Sequence, residues 1–191
     1  MTSPLCSDCR ASHTHRFTPK HAAISGAWTL AGYDTPLGEA IARCKRTDDR
    51  ALAVTLARLF ARRLAPHLAA MPNVTLVPTP TTKRRQLKRG FHLPSLQAAA
   101  LAHAMRTRWR TALHLEHGPK QADMGLEARR HNLIGRLRSV RSVPHTVVLV
   151  DDVWTTGQTA AACARELLGD HTEWVKVATL CAKRVEGSSF P

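Results

Sequence analysis

The chain has 191 residues, 43% of them hydrophobic, which suits one ordinary domain with a real core and a small appendage. No apolar run reaches the roughly 18 residues of a membrane-spanning helix, MTSPLCSDCR has no apolar secretory core, and five irregularly spaced cysteines favour a reduced, cytoplasmic setting over a disulfide framework. Lys and Arg number 28 against 14 Asp and Glu, a net charge of +14, so the surface attracts polyanions such as phosphate esters or nucleic acid, unless the arginines only solvate it.

The first twenty residues read as irregular, with Cys6, Cys9, His13, His15 and Pro19 and few apolar positions. ISGAWTLAGY (24–33) reads as one strand or a short hairpin. Thr35-Pro36 opens a helix to about Lys45, with proline in its first turn. A second helix spans Ala51 to Ala65. Leu52, Leu56, Leu59, Phe60 and Leu64 share one face, Asp48 and Asp49 precede it as caps, and Pro66 and Pro72 bound its end. VTLVP (74–78) is a short buried strand. TPTTKRRQLKRGFHLP follows, with five Lys or Arg before Gly90 and no apolar period, and reads as a mobile basic loop. A helix is expected over Ser95 to Arg106, a strand over Ala112 to Leu115, and an Arg-rich helix over Gly125 to Leu137. TVVLVDD has four consecutive aliphatics, the pattern of a strand covered on both faces. An Ala-rich helix (Thr159 to Leu168) and a last strand (Trp174 to Leu180) complete the chain. Strands alternating with helices predict an α/β fold with a mainly parallel central sheet flanked by helices.

Ligands of open α/β sheets bind beyond the carboxyl ends of the strands. Asp151 and Asp152 stand at such an end, and Val153-Trp154-Thr155-Thr156-Gly157-Gln158-Thr159 leads from them into a helix. A glycine turn at a helix start gathers backbone N–H groups, which suits a phosphate, and the hydroxyls of Thr155, Thr156 and Thr159 add donors. Two ionised carboxylates alongside accept hydrogen bonds from a ribose diol. Two other readings compete. Aliphatics followed by acids also describe a Walker B strand, but the chain has no G-x-x-x-x-G-K-[ST] phosphate loop. The acids could also simply cap the next helix.

VVLVDDVWTTGQT resembles the phosphoribosyl-pyrophosphate (PRPP) motif of type I phosphoribosyltransferases. YDTPLGEAIARCKR, VPTPTTKRRQLKRGF, KQADMGLEARRHNLIG and that motif, in this order, resemble the ComF family of phosphoribosyltransferase-like proteins linked to DNA uptake, from about Tyr33 to Ala182. The resemblance implies a type I phosphoribosyltransferase-like domain over 21–191 behind an N-terminal segment, 1–20, that looks like a degenerate zinc ribbon. It implies that Asp151 and Asp152 hold the ribose and that the turn from Val153 to Thr159 holds its 5′-phosphate. It further implies that the loop Pro78, Thr79, Pro80, Thr81 lies near the pyrophosphate, and that Lys83, Arg84, Arg85, Lys88 and Arg89 belong to a segment that closes over it. Cations there would meet charge developing on the leaving pyrophosphate, with Lys83, Arg84 and Arg89 joining the two aspartates in catalysis and Mg2+ bridging phosphate and ribose oxygens. Those five cations also read as a solvated or nucleic-acid-binding loop. Gln121, Arg129, Arg130 and Asn132 match the family by spacing, or form a solvated helix face.

The chain departs from the family in places. Two Cys-x-x-Cys pairs are reduced to one, Cys6 and Cys9, whereas structural zinc takes four ligands. His13 and His15 would complete the set only at a cramped spacing; the other readings are a degenerate relic and a start codon assigned too late. Arg-Gly-Phe is followed by His92-Leu93-Pro94 in place of Asn-Gln. Trp154 replaces a small aliphatic, either to stack on a base or to cover the loop. Two functions stay open. One is phosphoribosyl transfer from PRPP to an acceptor, with a hood at about residues 21–35. The other is a PRPP-sensing or single-stranded-DNA-binding accessory that meets DNA-uptake or replication proteins, with Trp28, Trp109, Trp154 and Trp174 as stacking options.

Overall fold

The computed structural model describes residues 5–11, 13–116, 136–143, 145–169 and 171–183, without the side chains of Arg10 and Ala11. Eight strands and six helices are described: α1 (Ser7–Ala11), β1 (His15–Phe17), β2 (Ala27–Gly32), α2 (Pro36–Thr47), α3 (Arg50–Leu68), β3 (Val74–Pro78), α4 (Lys83–Arg89), α5 (Leu93–Met105), β4 (Arg108–Trp109), β5 (Leu113–Leu115), β6 (Leu137–Ser139), β7 (His145–Trp154), α6 (Gln158–Leu167) and β8 (Thr172–Ala182). Six strands form one sheet in the order β1-β2-β8-β7-β3-β4. Every pair in it is parallel except β1 with β2. The fold is therefore α/β, with a mixed, mostly parallel six-stranded sheet flanked by helices. Among the described residues no helix is long and apolar enough to cross a membrane.

The aliphatic run behaves as its composition predicts. Along β7, Val148 and Val150 enter a core shared with α2, α3 and α5, while Val147 and Leu149 enter a second core against α6, β5 and β6. All four are fully buried. Alternation on a pleated strand sends successive side chains to opposite faces, so only a strand covered on both sides needs four aliphatics in a row. The strand also runs further than its apolar part, through Asp151, Asp152 and Val153 to Trp154, because β8 keeps pairing with it as far as Trp154↔Ala182.

Local chemistry explains most element ends. Asp49 caps α3 by accepting the Leu52 amide at 2.9 Å, and Asp48, in the left-handed conformation at φ 52, ends α2. Pro66 does not stop α3 as expected. It sits inside the helix, exposed, while Leu64 and Leu68 on either side are fully buried, and their packing carries the last turn past the missing N–H. The expected mobile basic loop is also different: residues 83–89 form α4. No side chain of α4 is buried, so packing does not make it helical. Its caps do. Thr82 accepts from the Arg85 amide at 3.3 Å, and Gly90, at φ 69, closes the end with its N–H on Gln86 O.

Two short elements lie in the segment read as irregular: α1, and β1, which pairs antiparallel with β2. The two-residue β4, which the sequence reading passed over, is the sheet edge beside β3. The expected Arg-rich helix lies outside the described residues up to 135. Leu137 begins β6, which pairs antiparallel with β5.

Candidate functional site

Parallel strands bring β7, β3 and β8 to one edge of the sheet with their carboxyl ends together. A cleft of about 210 Å3 opens there. Asp151 and Asp152 from β7, Thr79 to Thr81 after β3, and Arg85 and Arg89 of α4 line it. Lys45, the ring of His92 and Thr159 join them.

The two aspartates sit in different environments. Asp152 pairs with Lys45, Nζ to Oδ1 at 2.7 Å, across 107 positions of sequence. The Asp151 carboxyl turns inward. It accepts the Asp152 amide N–H at 2.8 Å and a hydrogen bond from the Thr79 hydroxyl. Burial, with the charge of Asp152 behind it, pushes the Asp151 pKa up to about 7; the Asp152 amide, Thr79 and Lys45 pull the other way. The cleft thus holds one carboxyl poised to lose its proton near neutrality and one already paired.

Beneath Asp151, Gln97 is fully buried on α5 and donates from Nε2 to the Asp151 carbonyl at 3.2 Å, while its Oε1 has no partner among the described residues. His92 immediately precedes α5 without capping its amides through its side chain, and its Nδ1 lies 2.8 Å from Ser95 Oγ. Burial drives its pKa down to about 4, so the ring is neutral at pH 7.

After Trp154 the chain turns through Thr155 and Thr156 to Gly157, at φ 73, the cap residue of α6. The cap residue makes no side-chain hydrogen bond to the first amides, and the first amides of any helix have no partner within the helix itself. A Cβ on Gly157 would fall 2.3 Å from the Trp154 ring and 2.9 Å from His21. Glycine is required there for space as well as for φ. Trp154 is buried with its ring edge-on to Phe17, so it covers the turn and is not a free stacking surface. His21 Nε2 donates to Thr156 O at 2.8 Å. Residues 21–35 thus touch the turn through His21. Beside Thr155, Gly157 and Thr159 the open space is only about 30 Å3.

Of the expected site residues, Asp151, Asp152, Thr79, Pro80, Thr81, Arg85, Arg89 and Thr159 converge on the cleft. Pro78 is buried at the end of β3, and Lys83, Arg84 and Lys88 are exposed on α4 away from the lining. Gln121, Arg129, Arg130 and Asn132 lie outside the described residues. Sequence reasoning assigned no role to Lys45, His21 or Gln97. Lys45 is the next-to-last residue of YDTPLGEAIARCKR, and that was its one signal. Of the four tryptophans, Trp28 and Trp154 are buried, whereas Trp109 and Trp174 are 40% and 54% exposed.

Cys6 and Cys9 lie far from this cleft in sequence and beside α2 in space. Among the described residues no group of three or more His, Cys, Asp or Glu side chains is placed to hold a metal ion. Among those residues His13 and His15 do not join the pair in a ligand group. The two thiols differ: the Cys9 amide and side chain favour the Cys6 thiolate and lower its pKa, whereas burial pushes Cys9 up to about 11.

Fold and site together define an α/β protein with a polar, cation-lined cleft at the carboxyl edge of a parallel sheet. The chain is 30% identical over 159 residues to the DNA utilization protein YhgH of Salmonella typhi, covering 80% of this chain and 70% of that one. It is 29% identical over 192 residues to YhgH of Salmonella typhimurium, and 29% over 190 to YhgH of Escherichia coli, each covering 93% of this chain and 83% of the relative. The chain belongs to the family of these DNA utilization proteins. No model of a known protein family matches it.

Proposed function

We propose that the cleft binds PRPP and that the protein transfers its phosphoribosyl group to an acceptor, releasing pyrophosphate. The observation that carries this reading is that Asp151 and Asp152 share one cleft with the cations Lys45, Arg85 and Arg89, while Asp151 also lines the space beside the Gly157 turn. The aspartates suit a ribose diol, the turn its 5′-phosphate, and the cations a pyrophosphate whose charge grows as it leaves. Thr79 orients Asp151 through its hydroxyl, and Lys45 holds Asp152. Described carboxylates here number two, Asp151 and Asp152, too few for a protein-built cage but sufficient for Mg2+ carried in on phosphates. Such a metal would neutralise charge on the pyrophosphate, and Asp151 and Asp152 would be the residues facing it. The test is calorimetric titration with PRPP, with and without Mg2+, on wild type and on Asp151→Asn/Asp152→Asn. Micromolar, Mg2+-dependent binding lost in the double variant is expected. No heat from well-folded wild type overturns the reading.

A second reading, a single-stranded-DNA accessory, draws on two observations. The relatives are named for DNA utilization, and α4 exposes Lys83, Arg84 and Lys88 on the side away from the cleft lining. Neutralising those three is expected to lower the slope of log affinity against log salt by roughly 2, at about 0.7 per phosphate contact. An unchanged slope removes α4 from the contact surface.

A further inference from the structure

Gln97 is a polar amide in an apolar place. Helix α5 sends Leu93, Ala98, Leu101 and Ala102 into the core that it shares with Val148 and Val150 of β7, and Gln97, on the same helix, has no exposed surface. Its Nε2 donates to the Asp151 carbonyl at 3.2 Å. A carbonyl only accepts, so this contact commits the NH2 end of the amide and leaves Oε1 to find a donor elsewhere. Among the described residues Oε1 has none, and no other buried side-chain nitrogen or oxygen lacks a partner. A buried oxygen without a donor lowers stability, and a leucine or methionine of similar size would avoid that loss. The side chain therefore does more for the carbonyl than for the core.

The carbonyl that Gln97 holds belongs to the peptide joining Asp151 to Asp152, a planar unit whose two ends move together. The N–H at its other end donates to Asp151 Oδ1 at 2.8 Å, and the Thr79 hydroxyl donates to the same carboxyl. Sheet pairing holds this peptide less firmly than those before it. Strand β3 follows β7 only to Pro78↔Val150, so from Asp151 onward β8 is the one strand still paired with β7. Rotation of the peptide plane would take the Asp152 N–H off the carboxyl and free that carboxyl to turn. A donor beneath the carbonyl resists this rotation. It also polarises the peptide, which makes the Asp152 N–H a stronger donor.

We propose that Gln97 is a positioning residue of the candidate ribose site, locking the Asp151–Asp152 peptide from beneath so that the Asp151 carboxyl stands where a ribose diol meets it. The role rests on the PRPP reading above. Gln97 does not line the cleft and acts through Asp151. It has no link to the cations Lys45, Arg85 and Arg89 on the pyrophosphate side, so its effect is confined to ligands that carry the ribose.

The test uses the full-length protein and Gln97→Met, which removes both the donor and the partnerless oxygen at similar size, with Gln97→Leu as a second variant. Urea unfolding is expected to give midpoints no lower than wild type. Calorimetry in Mg2+ is expected to show PRPP and ribose 5-phosphate bound about tenfold more weakly, the worth of one hydrogen bond. Inorganic pyrophosphate is expected to bind as it does to wild type. In the ligand-free variants the 15N resonance of the Asp152 amide is expected to move upfield as the polarising donor is lost. Unchanged affinity for PRPP and ribose 5-phosphate overturns the proposal, and so does an unmoved Asp152 amide. Equal weakening of pyrophosphate also overturns it, since that marks a general loss of structure. Wild type that binds no PRPP fails differently: it overturns the function proposed above, and the amide resonance still decides whether Gln97 locks the peptide.

Discussion

Replacing Asp151 by asparagine is expected to stabilise the protein at and above neutral pH. Burial is the main reason its folded pKa stands near 7, against 3.8 as the ordinary value. Between those values the unfolded chain has already lost this proton and the folded chain still holds it. The folded state binds more protons there, so stability falls as pH rises through that window and levels off above 7. Each unit corresponds to about 1.4 kcal/mol. From pH 5 to pH 8 the lost stability is about 2–3 kcal/mol, a large share of the 5–15 kcal/mol of an ordinary domain. Asparagine keeps an oxygen to accept the Asp152 amide and has no charge to bury. Urea unfolding of both proteins at pH 5, 6, 7 and 8 measures the difference. Other titrating groups cancel in it, His92 included. The gap in favour of Asp151→Asn is expected to widen by about 2–3 kcal/mol across the series. Parallel curves for the two proteins would refute the reasoning, since they would mean the carboxyl is solvated in the fold. The same argument bears on function: a ligand that needs the carboxylate must displace a proton below pH 7, so PRPP affinity is expected to rise with pH up to that point and then level.

Three further predictions test separate parts of the site. Lys45→Met leaves Asp152, whose side chain is 14% exposed, without its partner; the cost falls between that of surface and buried pairs, about 1–2 kcal/mol, and urea unfolding of Lys45→Met, Asp152→Asn and the double variant gives the coupling directly. Gly157→Ala drives a Cβ into Trp154 and His21 at a left-handed φ; a loss of about 2–4 kcal/mol with a shift in tryptophan emission is expected, and wild-type stability and emission would refute it. His92, neutral and half-buried with its pKa near 4 against 6.5, contributes stability that is full above pH 6.5 and is lost as pH falls toward 4; His92→Gln is expected to flatten that acid limb by about 3 kcal/mol in urea unfolding.

The strands and helices that build the cores were legible in the sequence because burial writes itself as period. Four aliphatics in 147–150 require cover on both faces, and the spacing from Leu52 to Leu64 requires one buried helical face. Asp151, Asp152 and the Gly157 turn were legible because their chemistry is contiguous along one strand and turn. α4 was not, since it has no buried face and owes its form to Thr82 and Gly90 at its ends. Pro66 was misread because a local rule against proline yields to the packing of Leu64 and Leu68 around it. The partners of the acids were hidden for another reason. Lys45 meets Asp152, Gln97 meets the Asp151 carbonyl, and His21 meets Thr156 across long stretches of sequence. Sequence alone determined which residues carry charge and where the chain must be buried. Only the tertiary structure decided that Asp152 is paired while Asp151 holds its proton, because a pKa depends on what surrounds the group, and folding supplies those surroundings.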